Sequence, residues 1–150
     1  MTSAKERCCD ASSRAESFKR VREAHQTELA EDYVELIGDL ITEMGEARVV
    51  DLAERLGVSS ATVNNAIQRL QRDGLVTTKP YRAIFLTERG QEMAVVARER
   101  HRLVVELLLA LGVDAATAEV DAEGIEHHVS EATLAAFRTF LEKRRQNEGR

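Results

Sequence analysis

The sequence predicts a mainly α-helical chain carrying a small β-hairpin wing: a winged helix-turn-helix followed by a second helical domain. Three observations carry that expectation. Aliphatic residues recur at helical spacing over most of the chain, whereas aromatic residues make up only 4% and Trp is absent, which disfavours a β-sandwich. Two short helical patterns meet at Gly57. Two β-prone stretches then flank the single proline, Pro80. At 150 residues and 43% hydrophobic, the chain can bury a core and is too apolar to be disordered throughout.

Each element has a local reason. Residues 1–15 are polar, mix charges of both signs and contain the only cysteines, Cys8 and Cys9. They read as a disordered tail rather than a signal peptide, and adjacent cysteines pair only with strain. From about Ser13 to Met44, Val21, Leu29, Tyr33, Leu36, Ile37, Leu40 and Ile41 recur at helical steps, and Gly45 ends the pattern. A second helix runs through Val49, Val50, Leu52, Ala53 and Leu56. Ser59 is a candidate N-cap for a third, which buries Val63, Ala66, Ile67 and Leu70 and closes at Gly74. Ala53, Gly57 and Val63 have the spacing of two helices that cross closely around a turn. Leu75–Thr78 and Ala83–Thr87 form the hairpin, with Lys79, Pro80, Tyr81 and Arg82 at its tip. Thr87 or Glu88 opens a long helix to about Leu111, and two or three shorter helices fill Asp114 to Arg145. The domain boundaries expected are 16–88 for the winged unit, 89–145 for the helical one, and 146–150 for a terminal tail. The longest apolar run, Leu103 to Val113, contains Glu106 and is too short to span a bilayer.

Two constellations suggest chemistry. The third helix and its cap expose Ser59, Ser60, Thr62, Asn64, Asn65 and Gln68, short polar and amide side chains that can read base edges in a major groove. Arg69, Arg72, Lys79 and Arg82 are placed for phosphates or a minor groove. Any one of these residues is equally an ordinary solvated position; together, on a helix-turn-helix, they point to duplex DNA. The second constellation is Asp121–His128, in which Glu123, Glu126 and His127 share one arc of a helix face. Asp32 and Glu35 stand one turn apart on the first helix, and His101 lies midway along the long helix. Carboxylates and imidazoles without thiolates suit Mn²⁺, Fe²⁺ or Co²⁺, although spacing alone leaves surface decoration open. His25 reads as a surface residue, and His128 as a packing or supporting residue rather than a ligand.

The winged helix, the long helix and the segment AEGIEHHVS together resemble the diphtheria-toxin-repressor family, and within it the manganese transport regulators. The resemblance covers roughly Glu28 to Phe140. It implies a metal site, two ions per chain, held by Asp32, Glu35, His101, Glu123, Glu126 and His127, with Glu123 and Glu126 as candidate bridging carboxylates. Iron-responsive relatives carry methionine and cysteine where Asp32 and Glu123 stand, so the resemblance implies Mn(II) over Fe(II). It also implies that residues 89–145 form a metal-binding and dimerisation domain, with Leu134, Ala135, Phe137, Phe140 and Leu141 in a two-fold dimer or in the chain's own core. The implied protein is a cytoplasmic homodimeric repressor that binds a palindromic DNA operator when manganese is present.

Rival readings fit less of the sequence. A winged-helix dimer sensing an organic ligand has no need of six matching ligands. A metalloenzyme lacks H-E-x-x-H and has only half of a di-iron Glu-x-x-His set. The net charge of −5 at first opposes DNA binding, but it is an average. Arg48 to Arg100 holds nine basic against six acidic residues, whereas His101 to Glu142 holds two against eight. A basic reading head beside an acidic regulatory half fits metal-gated approach to phosphates.

Overall fold

The structure, a computed structural model, describes residues 11–80 and 83–148. Cys8, Cys9 and the proposed wing residue Arg82 lie outside these residues. Helix α1 (Ala11–Met44) is 34 residues long. Neither Gly nor Pro occurs between Ala11 and Gly38, so the first turn of α1 takes in residues 11–15, which the composition had assigned to a tail. At the other end α6 (Glu131–Glu148) runs past Arg145 into the expected terminal tail, again with no breaker in the sequence before Gly149.

The helix-turn-helix is α2 (Val49–Leu56) and α3 (Ser60–Arg72). Gly57 takes the left-handed conformation, φ 65°, and its N–H bonds the carbonyls of Ala53 and Glu54. The Ser59 hydroxyl accepts from the Thr62 amide at 3.1 Å and so caps α3. The wing comprises β2 (Val76–Thr78) and β3 (Ala83–Leu86). A strand absent from the sequence reading, β1 (Ala47–Arg48), pairs with the far edge of β3, giving an antiparallel sheet ordered β1-β3-β2. Two residues are too few to show an alternating pattern.

Helix α4 (Glu88–Ala110) is anchored to the wing at its first turn. The Thr87 hydroxyl donates to the Gly74 carbonyl at 2.7 Å and accepts from the Gly90 amide at 3.1 Å. A Cβ on Gly90 would lie 2.1 Å from the Leu75 carbonyl oxygen, so only glycine permits this approach. Helix α5 (Ala115–Ile125) is followed by a 3₁₀ turn, Glu126–His128, before α6.

Two apolar cores result. Tyr33, Val34, Ile37 and Leu40 of α1 pack with Leu52, Val63, Ile67, Leu70, Val76 and Ile84 in the reading head. Val104 and Val105 of α4 pack with Ala118, Ala122 and Leu134 in the second unit. Leu134 and Leu141 are buried within the chain, and Phe137 packs partly against that core. Phe140 stays exposed, as do Leu109, Leu111 and Val120. Helix α1 packs against α4 and the 3₁₀ turn as well as the sheet, so it belongs to both halves.

Candidate metal centre and nucleic-acid interface

The carboxylates and imidazoles collect where α1, α4, α5 and the 3₁₀ turn meet. Asp32, Glu123 and His127 offer ligand atoms within 4.8 Å of one another, as do His101, Glu123 and Glu126. Glu123 is common to both groups. Glu126 also spans them: one oxygen is 2.7 Å from His101 Nδ1 and the other 3.3 Å from His127 Nε2. Glu35 is in neither group, but lines the adjoining cleft of about 440 Å³ with His101, Glu119 and Glu123.

The arrangement departs from a single helical arc. Helix α5 ends at Ile125, and the tighter 3₁₀ turn carries Glu126 and His127 inward. Both side chains are 2% exposed, while Glu123 on the last turn of α5 is 65% exposed. Thus one shared carboxylate is locked in place and the other faces solvent.

Electrostatics mark the cluster as short of positive charge. Burial, and then the charges of Glu126, Glu123 and Asp32, push Glu35 up to about 7. Burial also raises Asp32 and Glu126 above the ordinary carboxylate range, against the pull of the neighbouring histidines. For His101, burial alone acts downward, but hydrogen bonding to Glu119 and the charge of Glu126 outweigh it and raise the imidazole. Crowded carboxylates that retain protons, together with imidazole nitrogens and no sulfur, fit a divalent cation of hard to borderline character.

Three participants were not singled out in the sequence. Glu119 Oε2 lies 2.9 Å from His101 Nε2 and accepts from it in the tautomer that carries the proton there. It precedes Glu123 by one helical turn, a spacing that was legible. Glu31 is 6% exposed; one oxygen lies 2.8 Å from His127 Nδ1 and the other 2.6 Å from Arg100 Nη2. That second contact is an ion pair, and neither Nε nor Nη2 of Arg100 has a hydrogen-bond partner among the described residues. Nothing in the Glu31–Asp32 order distinguishes which carboxylate turns inward. His128 is not packed in the core; it meets His25 and Glu28 at the surface.

In the reading head, Ser60, Asn64, Asn65 and Gln68 are exposed along α3. Ser59 and Thr62 are exposed too, but their hydroxyls lie 2.9 Å apart within the helix cap. Arg69 and Arg72 border a cleft of about 520 Å³ between α1 and α3. Lys79 Nζ sits over the Phe85 ring, 4.6 Å from its centroid, a cation–π contact within the wing.

Residues 25–84 match the family model described as iron dependent repressor, N-terminal DNA binding domain. Residues 87–149 match its companion, iron dependent repressor, metal binding and dimerisation domain. The chain belongs to the iron-dependent-repressor family. Its relatives in this family include the transcriptional regulator MntR of Escherichia coli O6:H1, 56% identical over 128 residues, or 85% of this chain and 83% of that protein. MntR of Salmonella typhimurium is 53% identical, covering 85% and 82%. A manganese-dependent transcriptional repressor solved in complex with manganese aligns at 32% identity and TM-score 0.63, over 75% of this chain and 52% of that one. The manganese regulator SloR aligns at 29% and 0.65, over 75% and 53%. The chain thus spans about half the length of these two solved family members. No helix among the described residues is long and apolar enough to cross a membrane.

Proposed function

We propose that this protein is a manganese-responsive transcriptional repressor, without enzymatic activity, that acts on DNA in the cytoplasm. The observation that carries the reading is the placement of the carboxylate–imidazole cluster. Asp32 and Glu35 belong to α1, whose other residues build the reading-head core, while His101, Glu123, Glu126 and His127 belong to the second helical unit. These six residues would hold Mn²⁺, two ions per chain, with Glu123 and Glu126 shared between them. When bound, divalent ions supply the positive charge that lets all four carboxylates ionise together.

The chain's own residues do the rest. Full ionisation and closure of the cluster fixes α1 against α5 and the 3₁₀ turn. That selects one angle between the units at residues 16–88 and 89–145, and hence one presentation of α3. Asn64, Asn65, Gln68, Ser60 and Thr62 then face base edges. Arg69, Arg72, Lys79 and Arg82 meet the phosphate backbone, and Ser59 holds the N-terminus of α3 in register. Exposed Phe140, Leu111 and Val120 supply an apolar surface for a two-fold homodimer, which would place two reading heads on a palindromic operator. The donor set favours manganese by the absence of sulfur, and the similar regulators named for manganese support the same assignment.

The deciding experiment selects a DNA fragment with the Mn²⁺-loaded protein, then titrates binding with Mn²⁺, Fe²⁺, Zn²⁺ and chelator. Binding should require metal and collapse in Glu123→Ala. Metal-independent binding, or an unaffected Glu123→Ala, overturns the reading.

A further inference from the structure

A second set of metal-ligating side chains converges on the outer part of α1, beyond the cluster just described. His25 and Glu28 stand one turn apart on that helix, and His128 closes the 3₁₀ turn above them. His25 Nδ1 is 3.2 Å from Glu28 Oε2, and His128 Nε2 is 3.6 Å from the same oxygen. All three ligand atoms lie within 4.8 Å of one another, and the two rings meet edge to face with centroids 5.1 Å apart. A tetrahedral ion with ligands at about 2.0–2.1 Å has ligand–ligand edges of about 3.3–3.4 Å, close to two of these three separations. The side chains of His25, Glu28 and His128 are 62%, 28% and 37% exposed, so an ion has an entry path and a solvent-facing fourth position.

We propose that His25, Glu28 and His128 form a separate site for a borderline divalent cation of the Zn²⁺ type. The donor chemistry differs from that of the manganese cluster. There, four carboxylates accompany two imidazoles; here, two imidazoles accompany one carboxylate. A higher proportion of nitrogen to hard oxygen gives late first-row ions a larger advantage over Mn²⁺, which ranks weakest in the affinity series. Position gives the site a consequence. His128 directly follows His127, and Glu28 lies one helical turn before Asp32. An ion here ties α1 to the 3₁₀ turn at the junction the manganese cluster also spans, without using any of its six residues.

The test follows the ring nitrogens of all four histidines by long-range ¹H–¹⁵N correlation spectra of the full chain, stripped with chelator and titrated with Zn²⁺ or Mn²⁺. With Zn²⁺, the His25 and His128 rings should shift together and saturate, in the parent and in Glu123→Ala alike. His25→Ala should weaken the His128 response at least tenfold, since even a supporting partner of a metal ligand is worth about 10–100-fold. In that variant His101 and His127 should respond as in the parent. The proposal is overturned if His25 and His128 stay unmoved while His101 and His127 saturate. It is equally overturned if His128 responds unchanged in His25→Ala, or if Glu123→Ala silences all four rings. Unresponsive His101 and His127 rings under Mn²⁺ count against the manganese reading alone.

Discussion

His127 Nδ1 lies 2.8 Å from Glu31 Oε2, joining the 3₁₀ turn to a helix 96 residues earlier in the chain. The contact turns the other ring nitrogen, Nε2, toward Asp32 and Glu126, at 3.6 and 3.3 Å. Glu31 is therefore a positioning residue: it fixes which nitrogen faces the cluster. Glu31→Gln is expected to lower Mn²⁺ affinity by about 10–100-fold without changing the number of ions bound at saturation, counted from the electron paramagnetic resonance of free Mn²⁺. A changed stoichiometry with unchanged affinity would assign Glu31 a different role. Glu31→Ala also strands Arg100 in a mostly buried position, and is expected to cost about 3–5 kcal/mol of stability.

The raised carboxylates set the sign of a pH dependence in the metal-free protein. Glu35 titrates near 4.5 when unfolded and about 7 when folded. Below the lower value both states are protonated, and above the upper one both are ionised. Between them the folded state binds more protons, so stability falls as pH rises through that window. Chelator-treated protein should therefore melt at lower temperature at pH 7.5 than at pH 5, and Glu35→Gln should flatten the slope. Manganese needs the ionised carboxylate, so its apparent affinity should climb with pH across the same range and level off above it.

Metal preference should follow the donor atoms. Replacing Asp32 by Met and Glu123 by Cys puts a thioether and a thiolate among proposed ligands that otherwise carry only oxygen and nitrogen. In DNA-binding titrations the double variant should lose much of its Mn²⁺ response and gain response to Fe²⁺. Unchanged Mn²⁺ activation would sink the softness argument.

Gly90 offers a test of the close approach between α4 and the backbone leading into the wing. Helix propensity favours alanine there by about 1 kcal/mol, yet its Cβ would stand 2.1 Å from the Leu75 carbonyl. Sterics should win. Gly90→Ala is expected to destabilise by roughly 1–3 kcal/mol, a fall of several degrees in Tm by calorimetry. A rise in Tm would show that the wing yields freely.

On DNA, base readers and phosphate binders should separate. Asn64→Ala and Asn65→Ala should each narrow the gap between selected and random fragments by about 1–3 kcal/mol for a base-pairing amide. Lys79→Ala should instead weaken both fragments alike and reduce the salt slope by about one. Full discrimination in both asparagine variants would move base reading elsewhere on α3.

What the sequence disclosed depended on the kind of signal. Periodic and punctuated features were legible: Gly57 and Ser59 mark the turn and cap of the helix-turn-helix, and Thr87 marks the start of α4. The chain also announced Glu123, Glu126 and His127, although their convergence comes from a 3₁₀ turn that no helical wheel anticipates. The two-residue β1 carried no pattern to read. Glu31 was hidden for a different reason: whether it or Asp32 turns inward is decided by Arg100 and His127, which lie far along the chain. The contact of His128 with His25 had no signal either: the two stand 103 positions apart, and neither sits in a spacing that names the other.

Helix α1 presents Tyr33, Val34, Ile37 and Leu40 to the reading-head core and Glu31, Asp32 and Glu35 to the cluster, on one uninterrupted rod. No loop intervenes to absorb a rotation between the two faces. An aliphatic exchange such as Val34→Ile or Ile37→Val, which leaves every proposed ligand intact, is therefore expected to re-aim the carboxylates by whatever it does to the core. The concentration at which such a sensor trips is then written partly in methyl groups, and evolution can retune it without touching the ligands.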